Sequence, residues 1–405
     1  MLRIIQQQKN NILLMTISLV ISSFIICNCT KVASPNKPEI KAQSDTLENR
    51  YSAISLNNLF DLFDSKVNQG KGYSEYVNSE GIPSTSLLAW SESYLMQGYA
   101  NMYEASGDIK YLDKLHDHTQ SILSKRDDRI GKLDYKGDQV PCWGTDKYTR
   151  NHAWMHFIVH TGMITYPMLE FVYLVRQSKI EKYLISGDII LRQVEESVEY
   201  HDKDWRNDHY VYPDDFYKKN YIVPISQQAA IGRTLLLLYE LTGKEKYLKM
   251  TMAIAKLIET KSIKEERDGR YLLRNAFQPG KDFPDDTMTD ISHAAITIHF
   301  ANLTYKKGII FQREDIQKFT KTIMYLAENN NNHFPKYLDG TGDYEYEVAA
   351  GQYAFLAEYD PRLIGSIMEL YFKHIKIEET TNGMKADWWG TVMLGLSRVI
   401  LFQSK

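Results

Sequence analysis

The chain is 405 residues long, with 43% hydrophobic and 24% charged residues, which is the composition of a globular protein with a large core. Its formal net charge of −3 excludes the broad basic surface that nucleic-acid binding requires, so no DNA or RNA partner is expected. Aromatic residues make up 12% of the chain, and their flat rings suit both core packing and contact with sugar faces.

The first residues have the pattern of an export signal. Arg3 and Lys9 precede an uncharged apolar run over residues 12–27, whose length is that of a signal peptide. Cys29 follows this run and resembles the acylated cysteine of bacterial lipoproteins. We therefore predict a signal peptide over residues 1–28 and a lipid anchor on Cys29, which would hold the protein at a membrane in the periplasm or at the cell surface. An ordinary secretory signal and an uncleaved N-terminal anchor are the alternatives.

The rest of the chain divides into a tether and one domain. Residues 29–50 are polar and contain two prolines, a composition typical of an extended tether. Over residues 51–405 apolar residues recur at helical spacing in one segment after another. Cys142 is the only cysteine after the signal region, so no internal disulfide is available. We predict one all-α domain over residues 51–405.

An internal repeat indicates how the helices are arranged. Residues 103–112 and residues 239–248 share a Tyr-Glu start, a central Gly and a Tyr-Leu end. In each copy a helix ends at a Gly suited to the left-handed cap and a second helix begins at once, which predicts an antiparallel helix hairpin. A weaker third copy lies at residues 305–308, before a helical run over residues 313–328. We predict about twelve helices in roughly six hairpins.

Long polar and aromatic segments separate the hairpins, and we expect function there. Loops of about twenty residues are uncommon in compact domains unless they line a site. Their spacing predicts four loops at one end of a ring of helices. They are residues 126–151, 201–224, 263–290 and 329–350.

The first of these loops leads into three histidines at four-residue spacing. We predict that His152, His156 and His160 share one face of a helix that opens at Asn151. No metal is expected, because the metalloprotease pattern has a Glu after its first His and Ala153 stands in that place. His160 is equally well a core residue, whereas Asn151 and His152 are candidate catalytic residues and His156 a candidate substrate contact.

The second loop holds a mixture of side chains suited to an acidic sugar. Arg206 is suited to clamp a carboxylate, and Tyr210 and Tyr212 are suited to proton transfer, with Tyr212 preferred. An aromatic turn without a catalytic role is the alternative interpretation of this segment.

Other candidates lie at predicted helix starts. His293 follows an Asp-rich loop, with Asp290 or Ser292 as the N-cap, and is a candidate catalytic residue. Glu92 is a carboxylate among aromatics, and burial would raise its pKa toward that of an acid catalyst. Gln227 is a candidate ligand for sugar hydroxyls. The candidate aromatic platforms are Trp143, Trp154, Trp205, Trp388 and Trp389.

The Gly-turn hairpins and four short phrases resemble the six-hairpin (α/α) toroid superfamily of carbohydrate-active enzymes, which includes alginate and other uronate polysaccharide lyases, glycosidases and glucuronyl C5-epimerases. The phrases are residues 88–94, 151–154, 290–295 and 357–362. The resemblance implies an (α/α)6 toroid. Asn151 and His152 look like the Asn-His motif of toroid alginate lyases, in which the Asn neutralises the uronate carboxylate and the His assists proton removal.

This resemblance implies a polysaccharide lyase that cleaves an alginate- or glucuronan-like polymer by metal-independent β-elimination, without a cofactor. Asn151 and Arg206 would hold the carboxylate, His152 or His293 would be the base, and Tyr212 the proton donor.

Two other functions remain open at this point. A hydrolase or epimerase on the same toroid is one, and hydrolysis would need two opposed carboxylates, for which Glu92 with Asp290 or Glu345 is the available pairing. A surface lipoprotein that binds glycans without turnover is the other.

Overall fold

The computed structural model describes residues 55–77, 82, 84–213, 221–277, 288–330, 333–381 and 385–405. The signal peptide predicted over residues 1–28, the lipid anchor predicted at Cys29 and the tether predicted over residues 29–50 lie outside the described residues.

Helices make up most of the described chain. In chain order the α-helices are α1 (Leu56–Lys66), α2 (Ser93–Ser106), α3 (Ile109–Leu123), α4 (Asp127–Ile130), α5 (Ile158–Gln177), α6 (Glu181–Glu199), α7 (Ile225–Thr242), α8 (Glu245–Leu257), α9 (Ile291–Lys306), α10 (Arg313–Asn329), α11 (Arg362–Thr381) and α12 (Trp389–Ser404). A long 3₁₀ helix, Glu347–Glu358, lies between α10 and α11. An α-helical turn, Thr85–Leu87, and a π-helical turn, Leu88–Glu92, run without a break into α2.

Two small antiparallel hairpins are the paired strands of the described residues. Strand β1 (Trp205–Arg206) pairs with β2 (His209–Tyr210), and β3 (Ile263–Glu265) pairs with β4 (Tyr271–Leu273). Both hairpins lie at the positions of predicted loops, so the all-α prediction is confirmed.

Six helices form a closed inner ring. Around this ring α2 contacts α5, α5 contacts α7, α7 contacts α9, α9 contacts the long 3₁₀ helix, that helix contacts α12, and α12 contacts α2. Each inner helix also contacts an outer helix. The pairs are α2 with α3, α5 with α6, α7 with α8, α9 with α10, the long 3₁₀ helix with α11, and α12 with α1. Within the described residues this arrangement is the predicted (α/α)6 toroid, with twelve helices in two layers.

Glycines in the left-handed conformation end three of the inner helices. Gly107, Gly243 and Gly308 have φ angles of 69°, 68° and 69°. The amides of Gly107 and Gly243 each donate to the carbonyl of a tyrosine four residues earlier, at 2.7 Å. Only a residue without a side chain adopts this conformation at low cost, and the outer helix begins a few residues later. All three predicted copies of the repeat are therefore helix hairpins.

The inner helices all begin at the same end of the ring. Five of the inner helices lead through a short turn into their outer helix, and a longer segment then carries the chain back to the next inner helix; the sixth, α12, has the first helix, α1, as its outer partner. Since hairpin partners are antiparallel, the inner helices run in one direction and the long segments gather where they start. We call this end the N-terminal face. The described parts of the four long loops agree with their predicted gathering at one end.

The structure corrects one predicted helix. The chain is extended at Met155, which pairs with Thr145, and α5 begins only at Ile158. Asn151 and His152 have positive φ angles of 56° and 53° and lie in the loop. The prediction that a helix opens at Asn151 and presents three histidines on one face is therefore wrong.

Inner helices are buried all round, which explains why their sequences are apolar on every side. Helix α5 is long and apolar enough to cross a membrane by length and composition, but 89% of its most apolar stretch is buried within the protein. A core helix of a toroid has the same composition, so α5 is weak evidence for a membrane span.

Helices α5 and α7 approach closely at Gly162, and this contact yields a stability test. A Cβ atom at Gly162 would lie 2.5 Å from the backbone nitrogen of Ile231, which cannot move as a side chain can. We expect Gly162→Ala to lower the free energy of unfolding by about 1–3 kcal/mol, measured by urea denaturation. Gly187→Ala is the control, because its Cβ would have ordinary contacts and alanine favours a helix. Equal stability of the two variants would contradict the close approach.

Candidate active site

Polar and aromatic side chains from all six inner helices or the segments just before them gather at the N-terminal face. Their positions at helix starts follow from the ring, since every inner helix begins there. They are Trp90 before α2, His160 on α5, Gln227 on α7, Ser292 and His293 on α9, Tyr346 before the long 3₁₀ helix and Trp388 before α12.

A carboxylate and an imidazole are paired at the start of α9. Asp290 is the N-cap, and its Oδ1 accepts hydrogen bonds from the backbone amides of Ser292 at 3.0 Å and His293 at 3.1 Å. Its Oδ2 lies 2.6 Å from Nδ1 of His293. Ser292 donates to Asp290 at 2.6 Å, and the Tyr344 hydroxyl donates to Ser292 at 3.1 Å. The carboxylate therefore both caps the helix and fixes the imidazole.

Each member of this pair shifts the pKa of the other. Burial alone would lower the pKa of His293, but the hydrogen bond and the negative charge of Asp290 outweigh it and raise that pKa above 6.5. Burial alone would raise the pKa of Asp290, but its bonds with His293 and Ser292 hold that pKa well below 3.8. The side chain of His293 is still 42% exposed. Its Nε2 makes no hydrogen bond within the described residues, so this atom is free to meet a ligand.

The indole of Trp90 lies between two histidines. Its ring centroid is 6.2 Å from that of His293 and 6.2 Å from that of His160. His160 is almost fully buried and contacts Phe157 and Tyr148 edge-on or tilted. Burial lowers the pKa of His160 to about 3, so its ring is neutral near pH 7. One imidazole beside Trp90 is thus held neutral and the other is made more basic.

Two further pairs complete the N-terminal face. The Tyr212 hydroxyl donates to Oε1 of Gln227 at 3.0 Å, and the Tyr212 ring contacts Phe157 with centroids 6.3 Å apart. On another side of the ring Tyr346 contacts Trp388 with centroids 5.4 Å apart. Half-buried aromatic rings with polar tips suit the alternating apolar faces and hydroxyl edges of a sugar.

Several predicted site residues meet here. His293, Gln227 and Trp388 reach the N-terminal face directly, and Tyr212 joins it through Gln227. His160, for which a core position was equally expected, is a buried neighbour of Trp90.

Other predicted catalytic residues lie apart from this group. The side chain of His152 is 88% exposed and lies 3.7 Å from Asp146. Asn151 is exposed beside it. Arg206 is exposed on β1 and donates to the carbonyl of Lys203 at 2.7 Å. No hydrogen bond, ion pair or ring contact among the described residues links these three side chains to His293 or Trp90.

The remaining predicted contacts are engaged in packing. Each is buried, and each has a partner that explains its position. Glu92 accepts a hydrogen bond from the Tyr73 amide and contacts His118. Trp143 donates to the carbonyl of Ile122, and His156 contacts Asp127. The Tyr210 ring packs on Trp205, and Trp389 packs on Phe63. Trp154 is half-buried and also donates to Asp127. The expected role of buried Glu92 as an acid at the N-terminal face is not supported by this position.

Sequence reasoning missed three members of the group. Trp90 lies in the phrase 88–94, but the π-helical turn that aims it inward has no simple sequence signal. Tyr344 and Tyr346 lie in a loop of mixed composition. Asp290 was predicted as an N-cap or as the carboxylate opposite Glu92, and not as the partner of His293, although its position three residues before His293 is a signal for their pairing.

Comparisons with known proteins agree with the fold. No protein-family model matches this chain, and no curated protein sequence matches it either. Among solved structures, a cellobiose 2-epimerase from Bacillus thermoamylovorans superposes with a TM-score of 0.55 and 8% identity, over 85% of this chain and 99% of that chain. A cellobiose 2-epimerase from Spirochaeta thermophila superposes with a TM-score of 0.54 and 9% identity, over 85% and 97%.

A sugar epimerase from a ruminal bacterium superposes with a TM-score of 0.51 and 10% identity, over 84% of this chain and 98% of that chain. At such low identities the likeness shows the fold alone. This chain therefore has the (α/α)6 toroid fold of these carbohydrate-active enzymes, as the sequence predicted.

The pairing of Asp290 with His293 predicts the effect of removing one charge. Asparagine keeps the N-cap, so Asp290→Asn should leave α9 intact while lowering the pKa of His293 by about one to three pH units. Titration of the imidazole signal by NMR measures this, and Ser292→Ala is the control that retains the charge. An unchanged pKa in Asp290→Asn would contradict the pairing.

The same pair makes stability depend on pH. Because folding raises the pKa of His293, its stabilising contribution is complete below about 6.5 and is lost as the pH rises through the folded value. Because folding lowers the pKa of Asp290, its contribution is present above about 3.9 and is lost as the pH falls through the folded value. Urea denaturation across this range should show both effects in the wild type and neither in Asp290→Asn.

Proposed function

We propose that this chain is a carbohydrate-active enzyme that epimerises or isomerises a sugar by moving a proton at a carbon next to a carbonyl group. The observation that carries the proposal is the imidazole of His293, fixed by Asp290 and placed beside Trp90 at the accessible end of the toroid. The cellobiose 2-epimerases and the sugar epimerase that have the same fold support this choice of reaction.

His293 is suited to the role of general base. Its Nδ1 faces Asp290, which leaves Nε2 to take a proton from the sugar. The carboxylate stabilises the imidazolium that forms, as in other His-Asp pairs, and the raised pKa increases the strength of the base. Return of the proton to the opposite face of the same carbon gives the epimer, and its return to the neighbouring carbon gives the isomer.

Trp90 and His160 supply binding and polarity around the reacting carbon. The indole is half-buried and provides a flat apolar surface for one face of the sugar. His160 is almost fully buried and is kept neutral, so it supports the Trp90 ring without placing a positive charge beside the sugar. Gln227 and Trp388 extend the binding surface on two other sides.

A uronate polysaccharide lyase is the second candidate. It begins with the same proton removal, next to a carboxylate instead of an aldehyde, and the Tyr212 hydroxyl at the N-terminal face favours it by offering a proton donor for the leaving oxygen. The carboxylate clamp assigned to Asn151 and Arg206 has no contact with His293 in the described residues, so we rank the lyase below the epimerase.

A glycoside hydrolase has less support. Its pairing of Glu92 with another carboxylate would need Glu92 at the N-terminal face, whereas Glu92 is buried against His118 and the Tyr73 amide. Glu345 is 79% exposed and lies beside Lys385. Two opposed carboxylates are therefore not supported at this site.

Deuterium exchange tests the proposed proton transfer. The purified protein is offered cellobiose, mannobiose and mannose in heavy water, and NMR follows deuterium at the carbon next to the carbonyl together with any new sugar. We expect exchange in the wild type and a loss of about 100-fold or more in His293→Ala. His116→Ala, which changes a histidine on outer helix α3, is the matched control and should keep full activity.

The same samples separate the other candidates. Ultraviolet absorbance of an unsaturated product from uronate polymers, lost in His293→Ala, would replace the epimerase with the lyase. Loss of activity in His152→Ala with full activity in His293→Ala would overturn the site proposed here. Sugar binding without any turnover would leave a glycan-binding protein.

We also propose, from the sequence, that the protein is an exported lipoprotein anchored through Cys29. A fatty acid attached to this cysteine would insert into a membrane, and the residues after Cys29 would link the toroid to it. Labelling with radioactive palmitate should mark the wild type and not Cys29→Ser. Cys27→Ser is the matched control, since it changes the neighbouring cysteine and should keep the label. Unlabelled wild type would reject the anchor.

A further inference from the structure

Below the N-terminal face, four inner helices place one ionisable side chain each in the ring axis. Each of these side chains interrupts an otherwise apolar helix: Glu170 on α5, Arg233 on α7, His299 on α9 and Arg398 on α12. Arg233 and Arg398 come from helices that are not neighbours in the ring, and both reach His299. Because side chains from two helices that are not neighbours both reach His299, the arginines and His299 lie near the axis of the ring.

The two arginines share a neutral acceptor. Nη1 of Arg233 lies 3.3 Å from Nδ1 of His299, and Nη2 of Arg398 lies 3.4 Å from the same atom. Burial, together with the two positive charges, lowers the pKa of His299 well below 6.5, so this imidazole has no charge of its own. Two guanidinium groups are therefore held near one nitrogen atom without any charge that offsets them there.

Other contacts of the arginines are also uncharged. The Arg233 guanidinium lies 4.6 Å from the centre of the Tyr166 ring, and its Nη2 is 3.0 Å from the sulfur of Met163. Arg398 donates to the backbone carbonyl of Gln352. Nε of Arg233 is buried and has no hydrogen-bond partner in the described residues. This donor is left unsatisfied by the protein itself.

Charge balance at the axis is incomplete. Among the described residues, no ion pair joins a carboxylate to Arg233 or Arg398, which are 2% and 7% exposed. Glu170 is the carboxyl whose charge acts on both arginines; it is half-buried, and burial together with the charge of Glu104 raises its pKa to about 8. Burial lowers the pKa of Arg398 only to about 10, so its guanidinium stays charged.

We propose that the ring axis binds a small inorganic anion between Arg233 and Arg398. An unpaired buried charge costs several kcal/mol, and two of the same sign cost more, so a negative partner strongly favours the folded ring. The Nε–H of Arg233 has no partner, and the guanidinium groups of Arg233 and Arg398 lie near each other, so hydrogen-bond donors from two helices are available to the anion. Tyr166, Met163 and Phe355 pack against the arginines, so we expect a small ion such as a halide.

Anion-dependent thermal stability tests this site. The protein is unfolded by heat in sodium gluconate, with chloride or bromide replacing gluconate at constant ionic strength. We expect the wild-type Tm to rise by about 3–6 °C and to saturate. Arg398→Met should lose this dependence. Arg192→Met, which changes an exposed arginine of outer helix α6, is the matched control and should keep it.

Bromide anomalous scattering from wild-type crystals gives a second measurement that does not depend on how the variants fold. A peak between the guanidinium groups of Arg233 and Arg398 is expected. A wild-type Tm that does not respond to halide, a response that persists in Arg398→Met, or bromide peaks confined to the surface would each overturn the proposal. If Glu170 is instead the ionised partner, Glu170→Gln destabilises the protein and halide has no effect.

Discussion

The contact between α12 and α2 closes the inner ring, and every functional feature of the molecule depends on that closure. An open row of hairpins would leave the inner faces of its two end helices in water, at a cost of about 25 cal/mol for each Å² of apolar surface. Closure removes both ends at once. It also brings helix starts that are far apart in sequence to one face, where Trp90 contacts His293 and Tyr346 contacts Trp388.

Position on a helix decides what a charged side chain does in this fold. Asp290 and Glu92 are both carboxylates near the start of an inner helix, and both contact a histidine. Asp290 caps α9 and holds an imidazole that water can reach. Glu92 lies in the π-helical turn and is turned toward α3 and the segment after α1, where it satisfies a backbone amide and His118. The same chemistry therefore serves a site in one place and packing in the other.

Much of the fold is predictable from the sequence because its determinants are local. The Gly107 and Gly243 caps, the apolar inner helices and the long polar loops are each visible within about twenty residues. The site is less predictable, because it requires side chains from all parts of the chain to converge. His152 has suitable chemistry, but a left-handed loop turns it into solvent. Trp90 shows no special spacing, and only the π-helical turn and ring closure bring it beside His293.

The outer partner of the last helix is the first, since α1 packs on α12, and Phe63 meets Trp389 with ring centroids 4.9 Å apart. A growing chain on the ribosome can form its middle hairpins early, because their contacts are local. It cannot cover α1 or the free side of α2 until α12 has been made. The loop closed by this contact spans nearly the whole domain, so its formation is late and entropically costly. Until α12 has been made, the nascent toroid therefore stays incompletely folded.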